Sequence, residues 1–307
     1  MRSMTFAWMF VALHLVAMLA AMGGLIIAIP HPDLWSRTPG AAEFYAWAIA
    51  NMGTVDILTA TGAMLAWGFA AIGARKTLLF FAVACCLSAT AELTGTKTGW
   101  PFGGYAYTSF LGFKLGGRVP YTVPLSWFYM GFASYVLASA FVQHLSARSQ
   151  LQQPFTALAG GASSAKRVAV ISVLFGAFLL TAWDLVLDPA MAAPQLTYMH
   201  FWEWHEHGPY FGMPLRNLAG WFMTGLAFIA VSRIVWRSDI NGALTRLGVP
   251  YAIYILNIAW AMALSLSVGL WQTAVAAIVF AVLPATLAAF RIDPRGPLGA
   301  VRPERAA

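Results

Sequence analysis

The chain has 307 residues, 60% of them hydrophobic and only 9% charged, with a mean hydropathy of +0.70. A soluble domain carries roughly 25% charged residues, so this composition excludes one and indicates an integral membrane protein. The formal net charge of +7, from 18 Lys and Arg against 11 Asp and Glu, is scattered over connections. No basic run, zinc spacing or RNA-binding signature accompanies it, which argues against nucleic acid as a partner.

Uninterrupted apolar stretches predict eight membrane helices, at 6–29, 44–73, 77–93, 120–145, 168–188, 216–236, 247–270 and 272–290. The fold class is therefore all-α, a polytopic helix bundle forming one membrane domain over 1–307. The first stretch is long enough to span and lacks a small-residue cleavage context, so it reads as a span and not a cleavable signal. The seventh and eighth are almost continuous, with Trp271 and Gln272 as the turn signal, and a seven-span chain is the alternative. Cys85 and Cys86 are neighbours inside the third stretch and read as packing residues.

With the N-terminus on the cytoplasmic side of the cell membrane, thirteen of the 18 Lys and Arg fall inside. Arg37, Lys97, Lys114, Arg118 and Arg216 fall outside. The positive-inside rule favours that orientation, with both termini cytoplasmic. The inner segment 146–167, rich in Ser, Gln, Ala and Gly, reads as a flexible linker between two groups of four spans, which show no sequence repeat.

Two outer connections differ in kind. Segment 94–119 holds seven glycines with Trp100, Tyr105, Tyr107 and three phenylalanines, and segment 189–215 is dense in aromatics, His and Glu. Solvated loops do not carry so much aromatic surface, so both are expected to fold back on the bundle as a lid or re-entrant cap. Interfacial aromatic belts are the plainer alternative.

Ionisable groups inside a bilayer are costly and face a bundle interior or cavity. Glu92 lies near the outer end of the third span. Asp184 sits at a similar height in the fifth, with Asp188 one turn further out on the same face. Asp56 lies deeper in the second span. Such a layer can be a buried acid site in which one carboxyl keeps its proton at neutral pH. Structural roles compete: Asp184 bonding backbone where Pro189 ends the helix, Glu92 pairing with Lys97, Asp56 bonding through Asn51 or Thr59.

His200, Glu203, His205, Glu206 and His207 invite a metal reading, but His-x-His does not put both rings on one helix face and no HExxH occurs. No metal is assigned; Glu203 and one His are expected to orient water or close the acid network. His14 and His144 read as lone helix histidines, satisfied in the core or interfacial.

From Glu92 to Tyr107 the sequence ELTGTKTGWPFGGYAY fits the pattern E-x-x-G-x-x-T-G-x-P-F-G-x-Y-x-Y. It resembles the carotenoid biosynthesis membrane family that includes CruF-type carotenoid 1,2-hydratases. Further matches are the Gly-Gly after Leu115, PLSW ending at Trp127, WDLVLDP starting at Trp183, and GPYFGMPLRNLAGW ending at Trp221. They cover about residues 90–225; the first two and last two spans match in hydropathy alone, so Asp56 gains nothing from the resemblance.

The resemblance implies cofactor-independent hydration of the terminal C1–C2 double bond of an acyclic (ψ) carotenoid end, with γ-carotene, lycopene or a similar carotene as substrate. Protonating C2 of a trisubstituted alkene needs a neutral carboxylic acid. It leaves a tertiary cation at C1 that an aromatic wall can stabilise. Asp184 or Glu92 is the expected donor with Asp188 as its like-charge neighbour. Glu203, His205 and Asn217 are expected to position water, and Lys97 and Arg216 to fix the loops. Tyr105, Tyr107, Trp127, Trp183, Trp202 and Trp204 are available for the wall, with Asp56 beneath.

Three other outcomes fit the same residues. The cation could lose a proton or close a ring, giving an isomerase or cyclase. The chain could carry a carotenoid or quinone without chemistry. Buried acids also suit a proton-coupled transporter, although the inner half of the core supplies no acid for a through-path.

Overall fold

The structure, a computed structural model, describes residues 2–152, 161–196, 200–236, 240 and 243–292. Eight helices among the described residues are long and apolar enough to cross a membrane. They are α1 (Arg2–Gly23, continued by a π-helical turn over Gly24–Ala28), α2 (Ala41–Ala71), α3 (Ala74–Thr98), α4 (Thr122–Gln152), α5 (Gly161–Met191), α6 (Leu215–Trp236) and α7 (Gly248–Ser267). The eighth is composite: α8 (Trp271–Ala277), a π-helical turn over Ile278–Val282 and α9 (Leu283–Ile292). The turn before Trp271, with Gly269 at φ +81°, separates the seventh span from the eighth, so the near-continuous apolar run is two helices. This is a multi-pass membrane helix bundle.

Helix α4 is the central element and the most buried of the eight, contacting α2, α3, α5, α7 and α9. Its interior face meets a seam of rings in which Phe80, Phe128, Phe132, Tyr135, Phe228 and Trp236 pack edge-to-face or stacked. Between lipid-bathed helices such packing, with interhelical hydrogen bonds, is what drives association, because lipid tails are as apolar as the side chains themselves. Peripheral helices leave Phe6, Val16, Leu19, Ile234 and Phe290 on the outside, the surface that a bilayer covers.

The expected linker at 146–167 is helical at both ends, since α4 runs to Gln152 and α5 starts at Gly161; residues 153–160 lie outside the described residues. Pro189 does not end α5, which continues to Met191. Capping is left to the two aromatic connections. Strand β1 (Tyr105–Tyr107) of the first pairs antiparallel with β4 (Trp202–Trp204) of the second, while β2 (Lys114–Leu115) and β3 (Val119–Pro120) form a short hairpin between α3 and α4. The connections thus close one end of the bundle as a two-stranded ribbon.

Candidate active site

Strand alternation decides what the ribbon offers the bundle. Successive residues of a strand point to opposite faces, and the register sets Tyr105 opposite Trp204, Ala106 opposite Glu203 and Tyr107 opposite Trp202. The four aromatic side chains turn toward the helices and Glu203 toward the outside, where it is exposed. His205 and Glu206 follow on the exposed rim. Glu206 ties the two connections together, accepting from the Gly104 amide at 3.2 Å and from Arg216. The Arg216 guanidinium, with the Gly104 amide second, holds its carboxyl below the usual range. Lys114 takes the neighbouring tie, donating to the Tyr107 carbonyl at 2.6 Å, whereas Lys97 is exposed.

Beneath the ribbon, Glu92 is buried on α3. Its partner is not Lys97. Tyr105 and Tyr107 both donate to Oε2, the latter at 2.9 Å, and the Trp127 indole donates to Oε1 at 2.8 Å. Burial, and next the Glu92 carboxyl, push both phenols well above their ordinary pKa, so they stay neutral donors. Phe102 holds this arrangement in place. Its ring lies between α3 and α6 where both present glycine: a Cβ at Gly95 would stand 2.7 Å from it, and one at Gly220 2.6 Å.

Behind this group lies the aspartate pair. Asp184 and Asp188, one turn apart on α5, are both buried, and Asn217 of α6 donates its amide to Asp184 Oδ2 at 2.8 Å and to Asp188 Oδ2 at 2.5 Å. The Trp202 indole reaches Asp188 Oδ1 at 2.5 Å. The pair is thereby tied to the ribbon and to α6.

A cavity of about 540 Å³ opens in front of the Glu92 group. Glu92, Tyr107, Trp127, Trp183, Trp202 and Trp221 line one side, and Asp56, Tyr129 and Asn257 another. Its rim includes Leu19, Ile27, Leu34 and Phe44, all exposed on the outer surface near the end of α1 and the start of α2. The cavity therefore reaches the apolar outer surface at this end of α1 and α2. Trp127 stacks on Trp221 with centroids 4.0 Å apart, and Trp183 meets Trp221 edge-on at 5.7 Å, giving a three-indole wall.

The sequence-derived residues thus separate into groups. Glu92, Tyr107, Trp127, Trp183, Trp202 and Asp56 face the cavity. Tyr105 stands behind Glu92 as its donor, packed on Trp204 at 5.3 Å. Asp184, Asp188 and Asn217 form a second layer that does not line the cavity. Glu203 and His205, expected to orient water, are placed away from it by the strand period. Among the described residues no group of three or more His, Cys, Asp or Glu could hold a metal ion.

The Asp56 carboxyl meets neither expected partner: Asn51 bonds the Trp47 carbonyl, and Thr59 the backbone carbonyls of Val55 and of Asp56 itself. His14 of α1 approaches Asp56 instead, with Nδ1 2.9 Å from Oδ1. Reading His14 as a lone histidine misses a contact 42 residues away, for which the sequence carries no local signal.

The sequence profile of the family described as carotenoid biosynthesis protein matches residues 52–284. The chain belongs to that family. The match extends beyond the 90–225 core to take in Asp56 and Asn257. A relative named bisanhydrobacterioruberin hydratase, from Haloarcula japonica, is 31% identical over 134 residues, covering 44% of this chain and 37% of the relative. The aligned part is thus well under two thirds of that protein's length. No solved structure matches the chain.

Proposed function

We propose that this chain is a carotenoid hydratase, adding water across the terminal C1–C2 double bond of an acyclic carotenoid end group. The observation that carries the reading is Glu92, a buried carboxyl on the wall of an aromatic cavity with three neutral donors aimed at its two oxygens. Family membership and the name of the partial relative point the same way.

In this reading the polyene enters from the lipid at the α1–α2 rim and lays its terminal isoprene against the indole wall. Glu92 enters the cycle as the acid and passes its proton to C2. The π electrons of the double bond form the new C2–H bond and C1 becomes a tertiary cation. Tyr105, Tyr107 and Trp127 already point at the carboxylate that this step leaves, so they stabilise the charge as it develops without reorganising. Trp127, Trp183 and Trp221 offer ring faces near C1, where a desolvated cation–π contact contributes about 2 kcal/mol. Water then adds to C1 and loses a proton, giving the tertiary alcohol.

Between the two donors the sequence left open, Glu92 is preferred because it faces the cavity and Asp184 does not. Asp184 and Asp188 act from the second layer, fixing the Trp202 face of the ribbon and the Asn217 end of α6. No residue of this scheme requires a cofactor. The preferred substrates are linear-ended carotenes such as lycopene or γ-carotene, and the topology proposed is that of a cell-membrane protein with both termini cytoplasmic.

The test is expression in a host that accumulates lycopene or γ-carotene, with extracted pigment separated by liquid chromatography and weighed by mass spectrometry. A product heavier by one water, lost in Glu92→Gln at equal membrane abundance, is expected. An unchanged pigment pool with verified membrane expression, or an isomer of unchanged mass, overturns the reading.

A further inference from the structure

The scheme above leaves the water without a base, since Glu203 and His205 face outward and Asn217 lies in the second layer. A second polar cluster meets the same cavity. Asp56 of α2, Tyr129 of α4 and Asn257 of α7 line it, and His14 of α1, fully buried, backs them. Tyr129 donates its hydroxyl to Asn257 Oδ1 at 3.1 Å. That fixes the amide the other way round for its neighbours: Asn257 Nδ2 donates to the Ile253 carbonyl at 2.9 Å and faces His14 Nε2 at 3.1 Å. With Nε2 accepting, the imidazole proton sits on Nδ1, which faces Asp56 at 2.9 Å from Oδ1 and 3.1 Å from the backbone oxygen.

The chain of contacts therefore ends at Asp56: the His14 Nδ1 bonds its backbone oxygen, and Oδ1, near Nδ1, accepts no hydrogen bond. His14 has no lone pair left for the cavity, and Asn257 and Tyr129 are spent on orienting one another. Asp56 is the member with an accepting atom to offer, and its side chain is 17% accessible while that of His14 is wholly enclosed.

The position matches the Glu92 group in height. Trp127, which holds Glu92, and Tyr129, which anchors the second cluster, are two residues apart on α4 and so about 3 Å apart along its axis. They project in different directions, one toward α3 and the other toward α7. One cavity is thus lined by two carboxyls from different helices. One is surrounded by three hydrogen-bond donors; the other keeps a buried oxygen, Oδ1, that accepts no hydrogen bond. An acid and a separate base facing one cavity is the arrangement that acid-catalysed addition of water requires.

We infer that Asp56 is the general base that takes the proton from the attacking water, with His14, Asn257 and Tyr129 as the residues that position it. This rests on the hydratase reading. Each step balances: Glu92 gives its proton to C2, a water lone pair forms the C1–O bond, and the resulting oxonium loses one proton to Asp56. Resetting the site returns that proton from Asp56 to Glu92 through the next water to enter.

Deuterium oxide separates the two carboxyls. The enzyme in native membranes is incubated with lycopene in D₂O, and both the alcohol and the recovered hydrocarbon are analysed for carbon-bound deuterium. Wild type yields alcohol labelled at C2. Asp56→Asn loses alcohol by about 10²–10⁴-fold, the range of a general base. It still exchanges deuterium into recovered hydrocarbon, because Glu92 delivers a deuteron to C2 and the cation reverts by losing a protium, from C2 or from a C1 methyl, so that the deuterium stays. Tyr129→Phe, a milder change that keeps the ring, lowers the alcohol-to-exchange ratio in the same direction, and guards against misfolding of the Asp56 variant. Glu92→Gln loses both signals.

Alcohol formation within threefold of wild type in Asp56→Asn, or loss of alcohol and exchange together in both Asp56→Asn and Tyr129→Phe, overturns the assignment. Wild type that forms no water adduct overturns the hydratase reading itself, and this one with it.

Discussion

Trp127 joins the two functions of the cavity wall in one side chain: its indole N–H donates to Glu92 Oε1 at 2.8 Å while its ring face stacks on Trp221 at 4.0 Å. Phenylalanine at this position keeps an aromatic face and removes the donor. A hydrogen bond to a charged group is worth about 1.5–3 kcal/mol, so Trp127→Phe is expected to slow hydration roughly ten- to a hundredfold with the protein still in the membrane. Initial rates of water-adduct formation at matched protein level check this. An unchanged rate would remove the Glu92 contact from the chemistry.

Asp188 accepts from Trp202 and from Asn217, so its loss strands donors on two elements at once. Asp188→Ala leaves the Trp202 indole N–H unmatched in a dry site, at a cost of about 1–3 kcal/mol. It also leaves Asn217 with Asp184 as its one carboxyl partner, beside the Met213 sulfur. The ribbon should detach from α5 before the bundle comes apart. Limited proteolysis in detergent is expected to cut the connection 189–215 sooner in the variant, while bundle unfolding measured by tryptophan fluorescence moves less.

Gly220 and Gly95 admit the Phe102 ring from opposite helices. Gly220→Ala puts a Cβ 2.6 Å from that ring and 3.1 Å from the Pro101 carbonyl, and retreat is blocked by Gly95 on the other side. Overpacking of this kind costs about 1–3 kcal/mol, and here the strain falls on the turn that delivers Tyr105 to Glu92. Lower thermal stability together with reduced hydration is the expected result. Phe102→Leu in the same chain should recover part of both by freeing space.

The tie between the two connections is sensitive to acid. Arg216 and the Gly104 amide hold the Glu206 carboxyl below its ordinary value of 4.5 in the folded protein. A depressed carboxyl contributes stability that is fully present above the unfolded value and is lost as pH falls through the folded one. Proteolytic release of the ribbon should therefore be flat from neutral pH to about 4.5 and rise below it. Glu206→Gln should give the acid behaviour at neutral pH.

The parts of this protein that depend on local pattern are legible along the chain. Apolar runs of membrane-spanning length gave eight helices in their proper places, and the helical period put Asp184 and Asp188 on one face. The density of rings and glycines in the two connections foretold that they would cover the bundle. The aromatic motif residues could be named because they occur close together along the chain, and Glu92 because a carboxyl in a span has few alternatives to an interior partner.

The tertiary structure alone decided which of those residues meet a common space. Glu203 lies outside because pairing with Ala106 fixes the register, and a register shift of one residue would have turned it inward in place of Trp202 and Trp204. Asp184 and Asp188 are set behind the cavity because of how α5 is rotated against α6 and the ribbon, which Asn217 and Trp202 fix from other elements. His14 meets Asp56, and through Asn257 joins helices separated by 243 positions in the chain. Hydropathy and period act within one helix. The rotation of each helix about its axis is set by packing against several others at once, and that rotation determines which polar side chains share a cavity.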